Sequence, residues 1–128
     1  MKGGYFDRLT ELIIGCAFRV GNELGHGFLE KVYENALAYE LNKAGLHVVS
    51  QKPIQVYYDD VLVGDYVADL VVNNDVIVEL KAVKNLDSVH VAQCLNYLRA
   101  TGKKICLLIN FGCAKVQVRR IVNDFDEE

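Results

Sequence analysis

The sequence predicts an α/β fold, in which helices cover the faces of a mixed β-sheet. Three observations support this prediction. Apolar residues recur every three or four positions over residues 6–24 and 28–44, which is typical of amphipathic helices. From residue 46 the pattern changes to short segments of strand type that are separated by turn residues. Residues 104–110 form a near-continuous apolar run, which indicates a central strand covered on both faces.

The predicted order of elements is two helices, three antiparallel strands, one helix and two further strands. Glycines separate the first two helices, and Gly45 is expected to end the second. A third helix should begin after an N-cap at Asp87 or Ser88 and stop before Gly102. Gly64 interrupts a long strand pattern and predicts a β-bulge. The five predicted strands cover residues 54–58, 62–72, 76–83, 104–110 and 116–122, and residues 47–50 could form a separate short strand before them.

Composition limits the class of protein. The 128 residues are most simply one domain over residues 1–128, with 52% hydrophobic and 24% charged residues, as in soluble globular proteins. The formal net charge of -3 gives no overall basic field for a nucleic-acid partner. The four cysteines lack metal-binding or paired spacing, and no segment is apolar enough for a signal peptide or membrane span. We therefore expect a cytoplasmic protein without a membrane partner.

Two carboxylates and an amine interrupt apolar strand patterns. Glu79 and Lys81 lie two residues apart and so share a face, with Leu80 on the opposite one. Asp69 occupies a similar position in the preceding strand. A two-residue turn between the strands would put the acids on opposite faces, whereas a three-residue turn at 73–75 would oppose Asp69 to Glu79, with Cβ atoms about 5.5 Å apart.

Two interpretations of this group remain open on the residues alone. Paired carboxylates repel unless a proton or a cation lies between them, and oxygen donors favour Mg²⁺ or Mn²⁺. Lys81 could then orient a water molecule or offset charge on a phosphate. Alternatively, the two acids lie near a sheet edge and Lys81 simply neutralises one of them.

Polar residues on two helices are further candidates for the site. Glu30 falls in the first turn of its helix, where the helix dipole favours an anion, so a helix-start carboxylate is the simpler interpretation. His90, Gln93 and Tyr97 form a polar stripe beside an apolar one on the third helix. Gln93 and Tyr97 could hold a phosphate backbone or orient a metal ligand. The stripe is equally typical of an ordinary amphipathic boundary.

Five ordered blocks of sequence resemble the GxxExxY family of small bacterial and archaeal proteins, which is placed in the PD-(D/E)XK nuclease superfamily. The resemblance covers nearly the whole chain, although Ala68 stands where the superfamily name has proline and His26 replaces a proline common in the glycine loop. The blocks are Gly27-x-x-Glu30-x-x-Tyr33 with Ala38-Tyr39-Glu40-Leu41, Tyr66-x-Ala68-Asp69-Leu70, Val78-Glu79-Leu80-Lys81-Ala82-Val83, Ala92-Gln93-x-x-x-Tyr97-Leu98 and Leu108-Ile109-Asn110-Phe111-Gly112.

This resemblance implies a restriction-endonuclease-like core of order αβββαβ, preceded here by an extra N-terminal helix. It implies that Asp69 and Glu79 bind Mg²⁺ or Mn²⁺ and that Lys81 is the catalytic lysine. Leu80 would lend its main-chain carbonyl to the metal, and Glu30 would be a direct or outer ligand. Gln93 and Tyr97 fit the Q-x-x-x-Y motif of exonuclease-like branches. Together with His90 of the polar stripe and Tyr33 of the first block, they are the expected substrate or positioning residues.

The function expected from these residues is hydrolysis of nucleic-acid phosphodiester bonds by a Mg²⁺-dependent nuclease. The expected partner is nucleic acid, DNA in preference to RNA, and copies of the chain could assemble to supply a binding surface. The alternative is a non-catalytic module that keeps the fold and binds nucleic acid or a protein. The net charge of -3 favours this alternative slightly.

Overall fold

A computed structural model describes residues 4–123. It contains one five-stranded sheet, with two helices on one face and one on the other. This is the mixed α/β fold that the sequence predicts. The elements in chain order are α1 (Tyr5–Leu24), α2 (Glu30–Lys43), β1 (Val48–Tyr58), β2 (Val61–Val72), β3 (Val76–Lys81), α3 (Ser88–Thr101), β4 (Ile105–Asn110) and β5 (Gln117–Val122).

The sheet is mixed because one connection crosses over. Strands β1, β2 and β3 form an antiparallel meander, and β4 pairs with β5 in the same way. Strand β4 runs parallel to β3. Parallel neighbours require a crossover connection, and helix α3 provides it. All six residues of β4 are buried, which confirms the predicted central strand.

Each face of the sheet has its own apolar cluster. The apolar stripe of α1, including Ile13 and Ala17, packs with α2 against Leu70 and Val78. On the opposite face, α3 packs Leu98 against residues such as Ile77. Neighbouring residues along β2 and β3 therefore enter different clusters, as the strand period of two requires.

Strand β1 differs from its predicted form. The sequence predicts two strands, 47–50 and 54–58, with Pro53 marking the start of the second. The structure has one continuous strand, in which Pro53 lies opposite Val67. The prediction of a break is wrong because β1 is an edge strand, where a residue without an N–H is tolerated.

The predicted bulge at Gly64 is confirmed. Val56 pairs with Gly64 while Tyr57 pairs with Leu62, so β2 has one extra residue at this point. Helix boundaries differ from prediction by one or two residues. Asp87 is the N-cap of α3, and Gly102 ends that helix in the left-handed conformation. None of the helices within residues 4–123 has the length and apolar character needed to cross a membrane.

Candidate active site

Asp69 and Glu79 meet where β2 and β3 separate. The turn between the strands has three residues, 73–75, and Asn73 and Asn74 both adopt positive φ there. Backbone pairing runs from Val72↔Val76 to Leu70↔Val78. The next pair in this register is Asp69 and Glu79, as the three-residue alternative predicts.

The two carboxylates connect the strands by crossed hydrogen bonds. The Asp69 main-chain N–H donates to Glu79 Oε2 at 3.0 Å, and the Leu80 N–H donates to Asp69 Oδ2 at 2.8 Å. Each acid thus bonds to the main chain of the opposite strand just beyond the regular ladder. These bonds fix the orientation of both carboxylates, since a side chain held by a main-chain donor has few other rotamers available.

Burial and proximity make this pair of acids reluctant to carry two charges. Burial, followed by the charge of Asp69, raises the pKa of Glu79 to about 8. Burial also raises the pKa of Asp69, although the bond from Leu80 N–H opposes the shift. The Lys81 ammonium lowers the pKa of both carboxyls without cancelling the effect of burial. Without a metal, a proton on one carboxyl relieves the repulsion between the two groups. A cation bound between the carboxylates would relieve it in the same way.

The donor atoms fit a hard divalent cation. Asp69 and Glu79 offer carboxylate oxygens, and oxygen-only sets are typical of Mg²⁺ and Mn²⁺ sites. Glu30 is exposed in the first turn of α2, and its charge raises the pKa of both acids. Within residues 4–123, no three His, Cys, Asp or Glu side chains lie close enough together to hold one ion. Glu30 therefore forms no three-carboxylate group with Asp69 and Glu79 among the described residues.

Glu34 belongs to the surroundings of the site but was not singled out from the sequence. It is buried, and its charge contributes to the raised pKa of Asp69. Its carboxylate accepts hydrogen bonds from Gln51 at 3.0 Å and from Lys31 at 3.1 Å. In the sequence, only its position one helical turn after Glu30 indicates that Glu34 could lie near the site. Its hydrogen-bond partner Gln51 belongs to β1, so that contact could not be predicted from the helix pattern.

Tyr33 lies in the core beside the glycine loop. Its hydroxyl donates to the Gly25 carbonyl at 2.6 Å and accepts from the Phe28 N–H at 3.2 Å. Its ring stacks on Phe111 with centroids 4.7 Å apart. The fully buried ring and these internal bonds favour a packing role, in which Tyr33 holds the loop before Glu30 and does not contact substrate itself.

One member of the polar stripe on α3, Tyr97, lies near the carboxylates, and a second, Gln93, is bonded to it. Gln93 Nε2 donates to the Tyr97 hydroxyl at 3.1 Å. Burial, followed by the charges of Glu79 and Asp69, raises the pKa of Tyr97 to about 12. Tyr97 therefore remains a neutral phenol at any physiological pH, able to donate and accept hydrogen bonds.

His90 lies at the N-terminus of α3 rather than beside the carboxylates. Its Nδ1 accepts a hydrogen bond from the Asp87 main-chain N–H at 3.1 Å, and Asp87 Oδ1 accepts from the Val89 N–H at 2.9 Å. These reciprocal bonds form a capping box. Because Nδ1 is occupied in this way, only Nε2 remains available for the predicted positioning role.

Asn110 holds the chain that follows Lys81. Its Oδ1 accepts from the main-chain N–H groups of Val83 and Gly112, both at 3.0 Å. Its Nδ2 donates to the Val83 carbonyl and to Gln117 Oε1, both at 2.9 Å. A Cβ atom at Gly112 would collide with the main chain of Val83. In the sequence, Asn110 and Gly112 stood out only as part of a block that resembles the GxxExxY family. No local pattern predicts that they contact Val83.

The comparisons with known proteins concern the fold and the family of the chain. A search of curated proteins gives no significant match. The structure is similar to the crystal structure of an alkaline exonuclease, LHK-Exo, from Laribacter hongkongensis, with a TM-score of 0.54 and 13% sequence identity, over 97% of this chain and 73% of the exonuclease chain. At this identity the likeness shows a shared fold. The sequence model of the PD-(D/E)XK nuclease superfamily matches residues 7–121, nearly the whole chain. The chain therefore belongs to the PD-(D/E)XK nuclease superfamily.

Proposed function

We propose that this protein is a nuclease that hydrolyses phosphodiester bonds of nucleic acid with Mg²⁺ or Mn²⁺. The observation that carries the proposal is the pair of carboxylates, buried Glu79 and half-buried Asp69, held in fixed orientation beside Lys81. Membership of the nuclease superfamily supports the same reaction class. Within the superfamily we assign the chain to the GxxExxY branch, on the blocks quoted from its sequence.

Asp69 and Glu79 would hold the cation, together with the main-chain carbonyl of Leu80. Leu80 is suited to this role because its side chain is buried in the apolar cluster between the sheet and helices α1 and α2. This burial anchors β3 at the site. Glu30 would act as an outer ligand through water, since its charge acts on both acids although the three carboxylates form no common ligand group among the described residues. When bound, a divalent cation supplies a Lewis acid for the phosphodiester and lowers the pKa of water.

Lys81 contributes positive charge on the same face as Glu79. Its ammonium lowers the pKa of both carboxyls, so its charge lies close to the proposed metal ligands, and a phosphate bound to the metal would lie near it. There it would stabilise the negative charge that develops on the phosphoryl oxygens in the transition state. Asn110 keeps Lys81 in place through the segment that ends at Val83.

The polar stripe of α3 would position the substrate. We propose that Gln93 and Tyr97 contact the sugar-phosphate backbone as a hydrogen-bonded pair. His90 would contribute through Nε2 alone, since Nδ1 accepts the hydrogen bond of the helix cap. DNA is the proposed substrate in preference to RNA.

A second candidate is a binding module that keeps the fold without cleaving. It is favoured by one observation, the absence of a three-ligand group of His, Cys, Asp or Glu side chains among residues 4–123. In this case Asp69 and Glu79 would be structural, sharing a proton, and Lys81 would partly neutralise them.

Cleavage assays separate the two candidates. Labelled single-stranded DNA, double-stranded DNA and RNA are incubated with Mg²⁺ or Mn²⁺ and with wild-type protein, Glu79→Gln or Lys81→Ala. We expect each substitution to reduce the cleavage rate by about 10²–10⁴-fold, the usual contribution of a positioned catalytic group. Glu11→Gln, at an exposed position of α1, is the matched control and should cleave like the wild type.

Calorimetry with Mn²⁺ gives an independent result. Wild-type protein should bind the ion, and Glu79→Gln should bind it much more weakly. Equal cleavage by wild type and both variants would indicate a contaminating nuclease and contradict the assignment. Metal binding that does not depend on Glu79 would contradict the proposed ligands.

A further inference from the structure

Beside the candidate active site is a groove in which only Gln93 and Tyr97 have a role in the functions described so far. It lies between α3 and the parts of β1 and β2 near the bulge, and its volume is about 740 Å³. This volume lies within the range of roughly 300–1,000 Å³ that is typical of ligand sites. On the helix side the lining extends from Val89 to Ala100, which corresponds to about 16 Å along the helix axis.

The lining combines exposed aromatic rings with uncharged polar groups. Tyr57 and Tyr66 are 58% and 51% exposed, so their ring faces are available to a ligand. Asn96 lies on the helix side and can both donate and accept hydrogen bonds. Rings of this kind stack on the faces of nucleobases whatever the base, whereas amides can bond to base edges.

The charge of the groove also suits a polyanion. Acidic residues outnumber basic ones in the chain by 17 to 14. Nevertheless, the described residues that line the groove include Arg99 and no Asp or Glu. A phosphate backbone would therefore meet less repulsion here than over an average part of the surface.

The groove is continuous with the candidate active site. Tyr97 lines the groove, and the charges of Glu79 and Asp69 act on its hydroxyl. The Tyr66 ring packs at 5.9 Å from the Tyr97 ring, between centroids, so the exposed aromatic surface extends outward from Tyr97. A strand whose phosphate lies at the carboxylates could place neighbouring bases against Tyr66 and Tyr57.

We propose that this groove binds unpaired nucleobases of a single-stranded segment, with Tyr57 and Tyr66 as the stacking residues. The inference rests on the proposed function in one respect, because it names the form of the substrate that reaches the site. It assigns to the β1–β2 hairpin a binding role in addition to its place in the sheet. Both DNA and RNA have the required bases, so the sugar is determined by the test.

Binding is measured by fluorescence anisotropy with labelled oligodeoxyuridylate and oligouridylate, which differ only in the sugar, in EDTA so that no strand is cleaved. Tyr66→Ala and Tyr57→Ala should each weaken binding about tenfold, the usual effect of removing one stacking ring. Tyr66→Phe should bind like the wild type, because the ring is retained. The tighter of the two oligonucleotides identifies the sugar.

Two matched tyrosine variants control for loss of any exposed ring. Tyr58→Ala changes an adjacent residue that is 75% exposed but does not line the groove, and Tyr39→Ala changes an exposed residue of α2. Both should bind like the wild type. Equal binding by Tyr66→Ala, Tyr57→Ala and wild type overturns the proposal, and so does a failure of wild-type protein to bind either strand, the result expected of a groove that takes a protein segment.

The outcome is separable from that of the proposed function. Tyrosine-dependent binding without any metal-dependent cleavage would support the groove and contradict the nuclease. Glu79-dependent cleavage with unaffected binding by the tyrosine variants would support the nuclease and overturn the groove. Thermal unfolding of each variant confirms that the exposed substitutions leave the fold intact.

Discussion

Two polar groups lie close together at the ends of neighbouring strands. One is Asn110 with its hydrogen-bond partners, the Asn110 group, and the other is the carboxylate pair Asp69 and Glu79. They differ in how fully their hydrogen bonds and charges are compensated. Lys81 of β3 pairs in register with Asn110 of β4, so the Asn110 group and the carboxylate pair are close in the sheet. Asn110 uses both its oxygen and its nitrogen in hydrogen bonds of 2.9–3.0 Å and carries no charge. Asp69 and Glu79 are also hydrogen-bonded, but they bring two like charges into a buried environment.

This difference indicates that the Asn110 group serves the stability of the fold and that the carboxylate pair serves function. A fully bonded neutral group such as Asn110 stabilises the fold, and its loss leaves buried groups without partners. The carboxylate pair opposes folding when both groups are ionised, because burial and mutual repulsion disfavour its charges. A chain retains such a pair where it serves chemistry, as perturbed titratable groups in enzymes commonly do. Substitutions in the two groups should therefore change stability in opposite directions.

The largest expected effect on stability is at the Asn110 group. Asn110→Ala removes five side-chain hydrogen bonds, including both bonds to the half-buried main chain of Val83, which should cost about 3–5 kcal/mol of unfolding free energy. Gly112→Ala should be of similar severity because its Cβ would collide with the main chain of Val83. Urea denaturation measures both.

Gly15→Ala is the matched control for the glycine variant. Gly15 lies within α1, and a Cβ there meets no atom within 4 Å among the described residues. It should stabilise the protein by about 0.5–1 kcal/mol through helix propensity. Equal stability of Gly112→Ala and wild type would contradict the close approach of the two chain segments.

Glu79→Gln should change stability in the other direction. The amide keeps an acceptor for the Asp69 N–H and removes one of the two charges, so the metal-free protein at pH 8 should gain about 1–3 kcal/mol. The same variant should lose cleavage activity. A loss of stability at pH 8 would mean that the charge of Glu79 is well compensated, and the contrast with Asn110 would fail.

The pH dependence of unfolding tests the same pair without substitution. Glu79 has a pKa of about 8 in the folded protein, against an ordinary value of 4.5. Between these values the folded state holds the proton that the unfolded state has released, so stability in EDTA should fall as pH rises from about 4.5 to 8. Thermal unfolding of wild-type protein should show this fall, and Glu79→Gln should show a smaller one.

Added Mg²⁺ or Mn²⁺ should oppose the fall in stability. A cation at a hundred times its dissociation constant stabilises the protein by about 2.7 kcal/mol, provided that it binds only the folded state. Because the ion competes with the proton, its stabilising effect should be greater at pH 8 than at pH 6. An effect of equal size in Glu79→Gln would indicate that the ion binds elsewhere.

The smallest expected effect concerns the cap of α3. Asp87→Ala removes the N-cap hydrogen bond to Val89 and should cost about 1 kcal/mol. His90→Ala removes the other half of the capping box and should cost a similar amount. If His90 serves only the helix, the two variants should cleave at the same rate. A further loss of activity confined to His90→Ala would support a substrate contact through Nε2.

Local patterns in the sequence were sufficient to predict most of the fold. The helical periods and the turn residues correctly indicated the order of elements, and the unbroken apolar run correctly indicated the central strand β4. These features depend on residues near one another in the chain, so they are visible in one sequence. The continuous strand through Pro53 was not predictable in this way, because only the sheet order makes β1 an edge strand.

For the site, the sequence by itself determined the residue types, two strand acids and a lysine, and showed that a three-residue turn would bring the acids together. The tertiary structure decided which register holds, and it added groups from distant parts of the chain. Glu34 acts near Asp69 only because α2 packs on the sheet beside Gln51, and Asn110 holds Val83 only because β4 lies parallel to β3. Such contacts join residues 17 and 27 positions apart, and no local period encodes them.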